Sequence, residues 1–364
     1  MSFLIRRIAV NTGGGDAPGL NAVIRAVVLA SMERGWDVLG IRRGYTGLLD
    51  TSKIIQLDAD AVRGITHIGG TILGTTNKGN PFEYPLTRPG EPTELVDRSD
   101  EVVENFKRLG IDALIAIGGD GSMRIANQFA AKGIPVVGVP KTIDNDLTGT
   151  VATFGFDTAV TVATEALDRL HSTAEAHERV MVVEVMGRYA GWIALHSGVA
   201  ATADVILIPE IPFDIQRVCD KINDREAHGR RFSIVVVAEG AIPVGGSTVI
   251  KSKEIGREDL LGGIGATTAA QIQELTGKET RTVVLGHIQR GGRPTTFDRL
   301  LALRFGAAAV RLIEEGTFNH MVALDPPIVR AVPLEVATSR LKTVPVDSDT
   351  MLTARDLGIS FGDQ

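Results

Sequence analysis

Short apolar runs recur along the chain, and several stop at glycine or proline. Ile8-Ala9-Val10-Asn11 leads into Gly13-Gly14-Gly15, Ala113-Leu114-Ile115-Ala116-Ile117 into Gly118-Gly119, and Val136-Val137-Gly138-Val139 into Pro140. Further runs are Asp37-Val38-Leu39-Gly40-Ile41, Val180-Met181-Val182-Val183-Glu184-Val185, Asp204-Val205-Ile206-Leu207-Ile208, Ile234-Val235-Val236-Val237-Ala238 and Thr282-Val283-Val284-Leu285. They are continuously apolar rather than alternating, which is the pattern of strands covered on both faces. Segments of helical period lie between them: across residues 157–170, Val160, Ala163, Leu167 and Leu170 share one face. Strands alternating with helices predict an α/β fold class with mainly parallel sheets. Residues 77–99 carry Pro81, Pro85, Pro89, Gly90 and Pro92, interrupt the rhythm and read as a surface excursion. The rhythm pauses again at residues 148–155, after which the strands are expected to build a second sheet.

Length supports that division, because 364 residues exceed the size at which one core stops growing. A composition of 44% hydrophobic and 23% charged residues is that of a globular chain and argues against extended disorder. The formal net charge of −6 argues against nonspecific nucleic-acid binding, which needs a basic surface. It leaves room for a local basic pocket that takes a phosphate. Cys219 is the only cysteine, so neither an internal disulfide nor a cysteine-rich metal site is expected. That fits a reducing, cytoplasmic setting, with Cys219 as a packing residue. Met1-Ser2-Phe3-Leu4-Ile5-Arg6-Arg7 shows no signal-peptide pattern, and no apolar run reaches the length of a membrane helix.

The candidate chemistry follows the strands, where open parallel sheets bind their ligands. Gly13-Gly14-Gly15-Asp16-Ala17-Pro18-Gly19 lets a phosphate approach backbone amides, with Asp16 as a candidate helix cap and Pro18 in the first turn. It is neither a P-loop nor a dinucleotide fingerprint. Alone it reads equally as a tight strand-to-helix turn. Gly118-Gly119-Asp120-Gly121-Ser122 sets a carboxylate among glycines, able to serve Mg²⁺ while neighbouring amides meet phosphate oxygens; the alternative is that Asp120 only caps a helix. Pro140-Lys141-Thr142-Ile143-Asp144-Asn145-Asp146 offers two carboxylates two residues apart, one to accept a hydroxyl proton and one to orient water, metal or an arginine. It too has a plain alternative, an Asx turn that caps its own backbone. Met186-Gly187-Arg188 and Gly286-His287-Ile288-Gln289-Arg290-Gly291-Gly292 bring cations to strand ends, and Arg179 and Arg281 precede apolar runs. Guanidinium groups bind phosphate bidentately, although most arginines in any chain are solvated surface residues. Glu239 follows another run and can accept sugar hydroxyls or cap a loop.

Five motifs in order, the four glycine- and carboxylate- or arginine-bearing segments just named together with Gly14-Gly15-Asp16-Ala17-Pro18-Gly19 and its Asn21, resemble the 6-phosphofructokinase family from about residue 6 to residue 313. The resemblance implies two Rossmann-like domains with mainly parallel sheets and an active site in the cleft between them. Residues 1–154 with about 289–339 would form the ATP/Mg²⁺ domain, and 155–288 with about 340–364 the fructose 6-phosphate domain. It implies phosphorylation of the 1-hydroxyl of fructose 6-phosphate. Gly15, Gly119, Asp120, Gly121 and Ser122 would line the donor phosphates, with Asp120 serving Mg²⁺. Asp144 would be the base, and Arg188 would stabilise the transferring group. Thr142, Asp146, Met186, Gly187, Arg188, Glu239, His287 and Arg290 would contact the sugar phosphate. Arg179 and Arg281 resemble the positions from which a neighbouring subunit completes that site, implying a homo-oligomer, a tetramer or a dimer.

The donor turns on two residues. In the family, glycine at the position of Gly121 leaves room for the α-phosphate of ATP, whereas aspartate there accompanies pyrophosphate. Lys141 resembles the pyrophosphate users. The pair together resembles the mixed-substrate branch, most of whose members use ATP. An excluding side chain decides more than an assisting cation does, so ATP is favoured and pyrophosphate is the alternative. The family's donor segment is altered here to Gly74-Thr75-Thr76-Asn77-Lys78-Gly79, with Lys78 as a substitute contact. Arg25 matches one effector-site arginine of the bacterial ATP enzymes, while Leu29 and Ala59 occupy two others, so the usual bacterial regulation by ADP or phosphoenolpyruvate is not expected. A non-catalytic sensor would usually have lost part of the set Asp120, Asp144 and Arg188. Lipid or NAD kinases with a Gly-Gly-Asp-Gly loop do not account for residues 142–146 or 287–292.

Overall fold

Each of the eight apolar runs forms a strand. In the computed structural model, which describes residues 4–90, 92–252 and 260–364, the strands in chain order are as follows. They are β1 (Arg7–Thr12), β2 (Asp37–Ile41), β3 (Ile54–Leu57), β4 (Tyr84–Leu86), β5 (Glu94–Val96), β6 (Ala113–Gly118) and β7 (Val136–Pro140). Then come β8 (Val180–Val185), β9 (Val205–Leu207), β10 (Ser233–Ala238), β11 (Ile250–Ser252), β12 (Leu260–Leu261), β13 (Thr280–Val284), β14 (His320–Asp325) and β15 (Ile328–Pro333). Strands β6, β7, β8 and β10 are buried along their whole length, as expected for runs covered on both faces.

Two main sheets result. The seven-stranded sheet has the order β15-β14-β7-β6-β1-β2-β3, and the four-stranded sheet the order β13-β8-β10-β9. The second is parallel throughout. The first is parallel except at its edges, where β3 and β15 run antiparallel to their neighbours. The fold is therefore mixed α/β with mainly parallel sheets. The helices Leu20–Met32 and Thr296–Glu314 pack together on the first sheet, and Phe156–Ala176 and Trp192–Ala200 pack on the second. Cys219 is buried among apolar neighbours, as expected.

Two readings are corrected. Strand β13 is an edge strand, with Arg281 and Val284 exposed, so its apolar run is not covered on both faces. Arg281 lies within that strand rather than before it. Residues 77–99 lie mostly at the surface, as expected, and hold the small antiparallel pair β4–β5, in which Pro85 is tolerated because β4 has only one neighbour. Among the described residues no helix is long and apolar enough to cross a membrane.

Candidate active site

The two glycine runs lie side by side because β1 and β6 are parallel neighbours. Gly13 donates to the carbonyl of Ile117 at 2.9 Å. Ser122 sits between the runs. A Cβ at Gly118 would come within 2.2 Å of the Ser122 Cβ, and one at Gly13 within 2.6 Å of its hydroxyl, so the backbones can approach only as glycine. Asp16 does not cap the first helix. That helix starts at Leu20, and its N-cap is Gly19 at φ 109°, so Pro18 precedes the first turn. Asp120 does not cap either: Gly119 is the N-cap, and Asp120 is the first residue of the helix Asp120–Ala131. Its carboxylate pairs with Arg124 one turn later. A side chain at Gly121 would meet nothing within 4 Å of its Cβ. Gly14 donates to the carbonyl of Thr76 at 3.2 Å, which brings the altered segment around Lys78 against the first glycine run, with Lys78 itself exposed.

Lys141 extends β7 into the same space. Its buried ammonium donates to the carbonyl of Gly15. Burial pushes its pKa down to about 8, with Arg290 contributing, against Asp144, Asp146 and Asp16, which favour the charge. After it the chain turns sharply. The Thr142 hydroxyl accepts from the amide of Asp144 at 3.1 Å. Asn145 takes the left-handed conformation at φ 51°, and its side-chain Oδ1 accepts from the amide of Thr153 at 3.1 Å. Thr142 and Asn145 thus bond backbone amides of this segment and of the loop that follows, so one Asx residue of the turn, Asn145, does cap local backbone. Asp146 is raised well above the carboxylate range, by burial first and then by the neighbouring Asp144.

The second sheet supplies the facing groups. Gly187, at φ 133°, turns the chain after β8 so that Arg188 follows, its guanidinium 5.5 Å from the ring of Tyr189. Gly240 donates to the carbonyl of Gly187 at 3.1 Å, which sets Glu239 beside this loop. Burial first, and then the charge of Asp144, lift the Glu239 carboxyl to about 7, against Arg188 and Arg290. Asp144, Arg188, Glu239 and Arg290 therefore share one region, although they come from both sheets. Arg290 reaches the first glycine run, donating to the carbonyl of Asp16 at 3.1 Å. Met186 is half-buried against the second core, and His287 is exposed on the short helix Gly286–Arg290.

Arg179 and Arg281 are not brought there. They stand at the amino ends of β8 and β13, and both pair with Glu279. Sequence reasoning also missed Lys342, whose ammonium donates to the Asn145 side chain at 2.9 Å. No local motif marks it, because its partners lie nearly two hundred residues earlier in the chain.

The family model described as phosphofructokinase matches residues 7–313. An ATP-dependent 6-phosphofructokinase from Chloroflexus aggregans is 54% identical over 359 residues, covering 99% of this chain and 98% of its own length. A pyrophosphate–fructose 6-phosphate 1-phosphotransferase from Streptomyces coelicolor is 49% identical over 360 residues, covering 98% of this chain and 100% of its own. The structure of Pichia pastoris phosphofructokinase in the T-state matches with a TM-score of 0.80 at 31% identity over 99% of this chain, which spans 37% of that protein's length. With its motifs in order, its α/β sheets and relatives of this similarity along its whole length, the chain belongs to the phosphofructokinase family.

Proposed function

We propose that the chain transfers the γ-phosphoryl group of ATP to the 1-hydroxyl of fructose 6-phosphate, giving fructose 1,6-bisphosphate and ADP, a step of glycolysis. The observation that carries this reading is the convergence of Asp144, Arg188, Glu239 and Arg290 beside the double glycine cradle. In this reading the fold divides as the two sheets do. Residues 1–154 with about 289–339 hold the donor, residues 155–288 with about 340–364 hold the sugar phosphate, and the cleft between them is the site. Asp144 accepts the hydroxyl proton as the oxygen attacks phosphorus and the bond to the β-phosphate oxygen breaks. Arg188 faces the charge on the transferring group. Asp146 and Thr142 hold the acceptor, while Glu239, Met186, Gly187, His287 and Arg290 hold the sugar and its phosphate. Gly15, Lys78, Gly119, Gly121 and Ser122 line the donor.

Among the described residues no cluster of three metal-ligating side chains exists, so a metal cage made by protein alone is not the fit. The single carboxylate of Asp120, at a helix start beside the donor glycines, fits Mg²⁺ held jointly by one carboxylate and phosphate oxygens. Bound there, Mg²⁺ would neutralise donor charge. We place the enzyme in the cytoplasm as a homo-oligomer, a tetramer or a dimer.

The open space at Gly121 supports ATP, and the pyrophosphate-using relative keeps the alternative concrete. Assaying fructose 1,6-bisphosphate formation with each donor separates them. Turnover with ATP is expected; turnover with pyrophosphate alone would overturn the donor assignment.

A further inference from the structure

Residues 340–344 run between loops of the two sheets. Leu341 bridges Leu147 in antiparallel fashion, and the Thr148 hydroxyl donates to the carbonyl of Arg340 at 2.8 Å. On the other side, the amide of Val344 donates to the Glu210 carboxylate at 2.8 Å. The same carboxylate accepts from the amide of Gly191, at the end of the loop that carries Arg188, at 3.0 Å.

Lys342 is at the centre of this strap. Its amide donates to the carbonyl of Asp146 at 2.7 Å, and its carbonyl accepts from the Trp192 indole at 2.9 Å. Its ammonium donates to the Asn145 side chain at 2.9 Å and to the carbonyls of Thr150 and Val151, both at 3.0 Å. These contacts use all three of its protons. The ammonium also lies 5.6 Å from the Trp192 ring centroid, within cation–π range. Burial lowers its pKa to about 8, while Asp146 favours the charge. One residue thus ties the turn bearing Asp144 to the start of the helix that follows Arg188.

We infer that Lys342 is a positioning residue, holding the 142–146 turn in register with the 186–191 loop through Asn145 and Trp192. The inference rests on the phosphotransferase reading of the site. Asn145 is the one residue of the turn with positive φ, an uncommon conformation outside glycine, though asparagine takes it more readily than most. One bond from the buried ammonium reaches Asn145 itself, and the other two fix the Thr150 and Val151 carbonyls of the loop that follows the turn. Displacement of a base by about 1 Å is enough to lower turnover about 100-fold.

The test is Lys342→Met, which keeps the stem against Trp192 and both backbone bonds and removes only the ammonium. Turnover is measured per fructose 6-phosphate site, with sites counted by equilibrium binding. A merely structural role lowers the number of sites and leaves turnover at each one unchanged. A positioning role lowers kcat per site by about 10- to 100-fold, with KM for both substrates within about threefold of the parent. A kcat per site within about twofold of the parent overturns the inference. Should Lys342→Met not fold, Trp192→Phe, which keeps a ring and loses the indole N–H, decides on the same reading, with a several-fold loss expected. The parent is assayed alongside with both donors: no turnover there overturns the functional reading and this inference with it, whereas turnover in the parent with an unchanged variant overturns this inference alone.

Discussion

At position 121 the missing side chain is the feature on which the proposed donor assignment turns. The residue has an ordinary backbone conformation, and a Cβ there would meet nothing within 4 Å, so the fold does not require glycine. A carboxylate built there would point negative charge into the space beside the donor cradle. Gly121→Asp is therefore expected to leave the melting temperature unchanged within about 2 °C, as for other exposed substitutions. It is expected to lower kcat/KM for ATP at least about 100-fold, the scale on which a misplaced phosphoryl group loses rate. Retained ATP use would remove Gly121 as a donor determinant. Much of the candidate site at this scale was legible from order alone: Gly119–Ser122, Asp144 and Arg188 each follow a strand. The left-handed Asn145 and the role of Lys342 were not legible. Both depend on bonds made across the fold, which no local pattern encodes.

Among the elements, uniform apolar runs located the central strands of the two main sheets except β14, and the edge strand β9, while the edge strands β3 and β15 escaped and β13 misled. Strands β3 and β15 carry mixed sequence because one side of each faces solvent, and β13 looked buried only because valine suits a strand wherever it lies. The join between the helices Phe156–Ala176 and Thr296–Glu314 was likewise hidden. Asp298 accepts from the Thr158 hydroxyl at 2.6 Å and from its amide at 2.8 Å, and the Thr295 hydroxyl donates to Asp157 at 2.6 Å. Burial raises the Asp298 carboxyl to about 6, against the bonds from Thr158. A carboxyl whose folded pKa is raised binds more protons folded than unfolded. Its contribution to stability is fully present below the ordinary carboxyl range and is lost as pH rises through about 6. Asp298→Asn does not titrate. Its stability relative to the parent should shift in the variant's favour between pH 4.5 and 7.5, by on the order of 2 kcal/mol. Denaturant unfolding at both pH values measures this, and a constant gap would show that Asp298 does not titrate in that window.

At the scale of the whole molecule, Arg179 and Arg281 lie at the wrong end of their own strands. Arg179 immediately precedes β8, and Met186 immediately follows it, so the six-residue strand separates them by about 20 Å. Arg281 pairs in register with Met181 at that same amino end. Neither can enter the site built by its own chain. Both guanidinium groups converge on the carboxylate of Glu279, so among the described residues two positive charges share one negative one, an arrangement that suits an incoming phosphate. A neighbouring copy of the chain is the simplest host for that phosphate, and this makes a specific demand on assembly. A variant carrying Arg179→Ala and Arg281→Ala keeps an intact reacting turn; a variant carrying Asp144→Ser keeps intact arginines. Each alone should be nearly inactive. Dissociated, mixed in equal amounts and reassociated, they form some sites that combine a sound turn with a neighbour's sound arginines. Random pairing gives about one site in four of that kind, so about a quarter of parental activity should return. Arginines that served their own chain would leave the mixture as inactive as its parts, because no single chain then carries both intact sets.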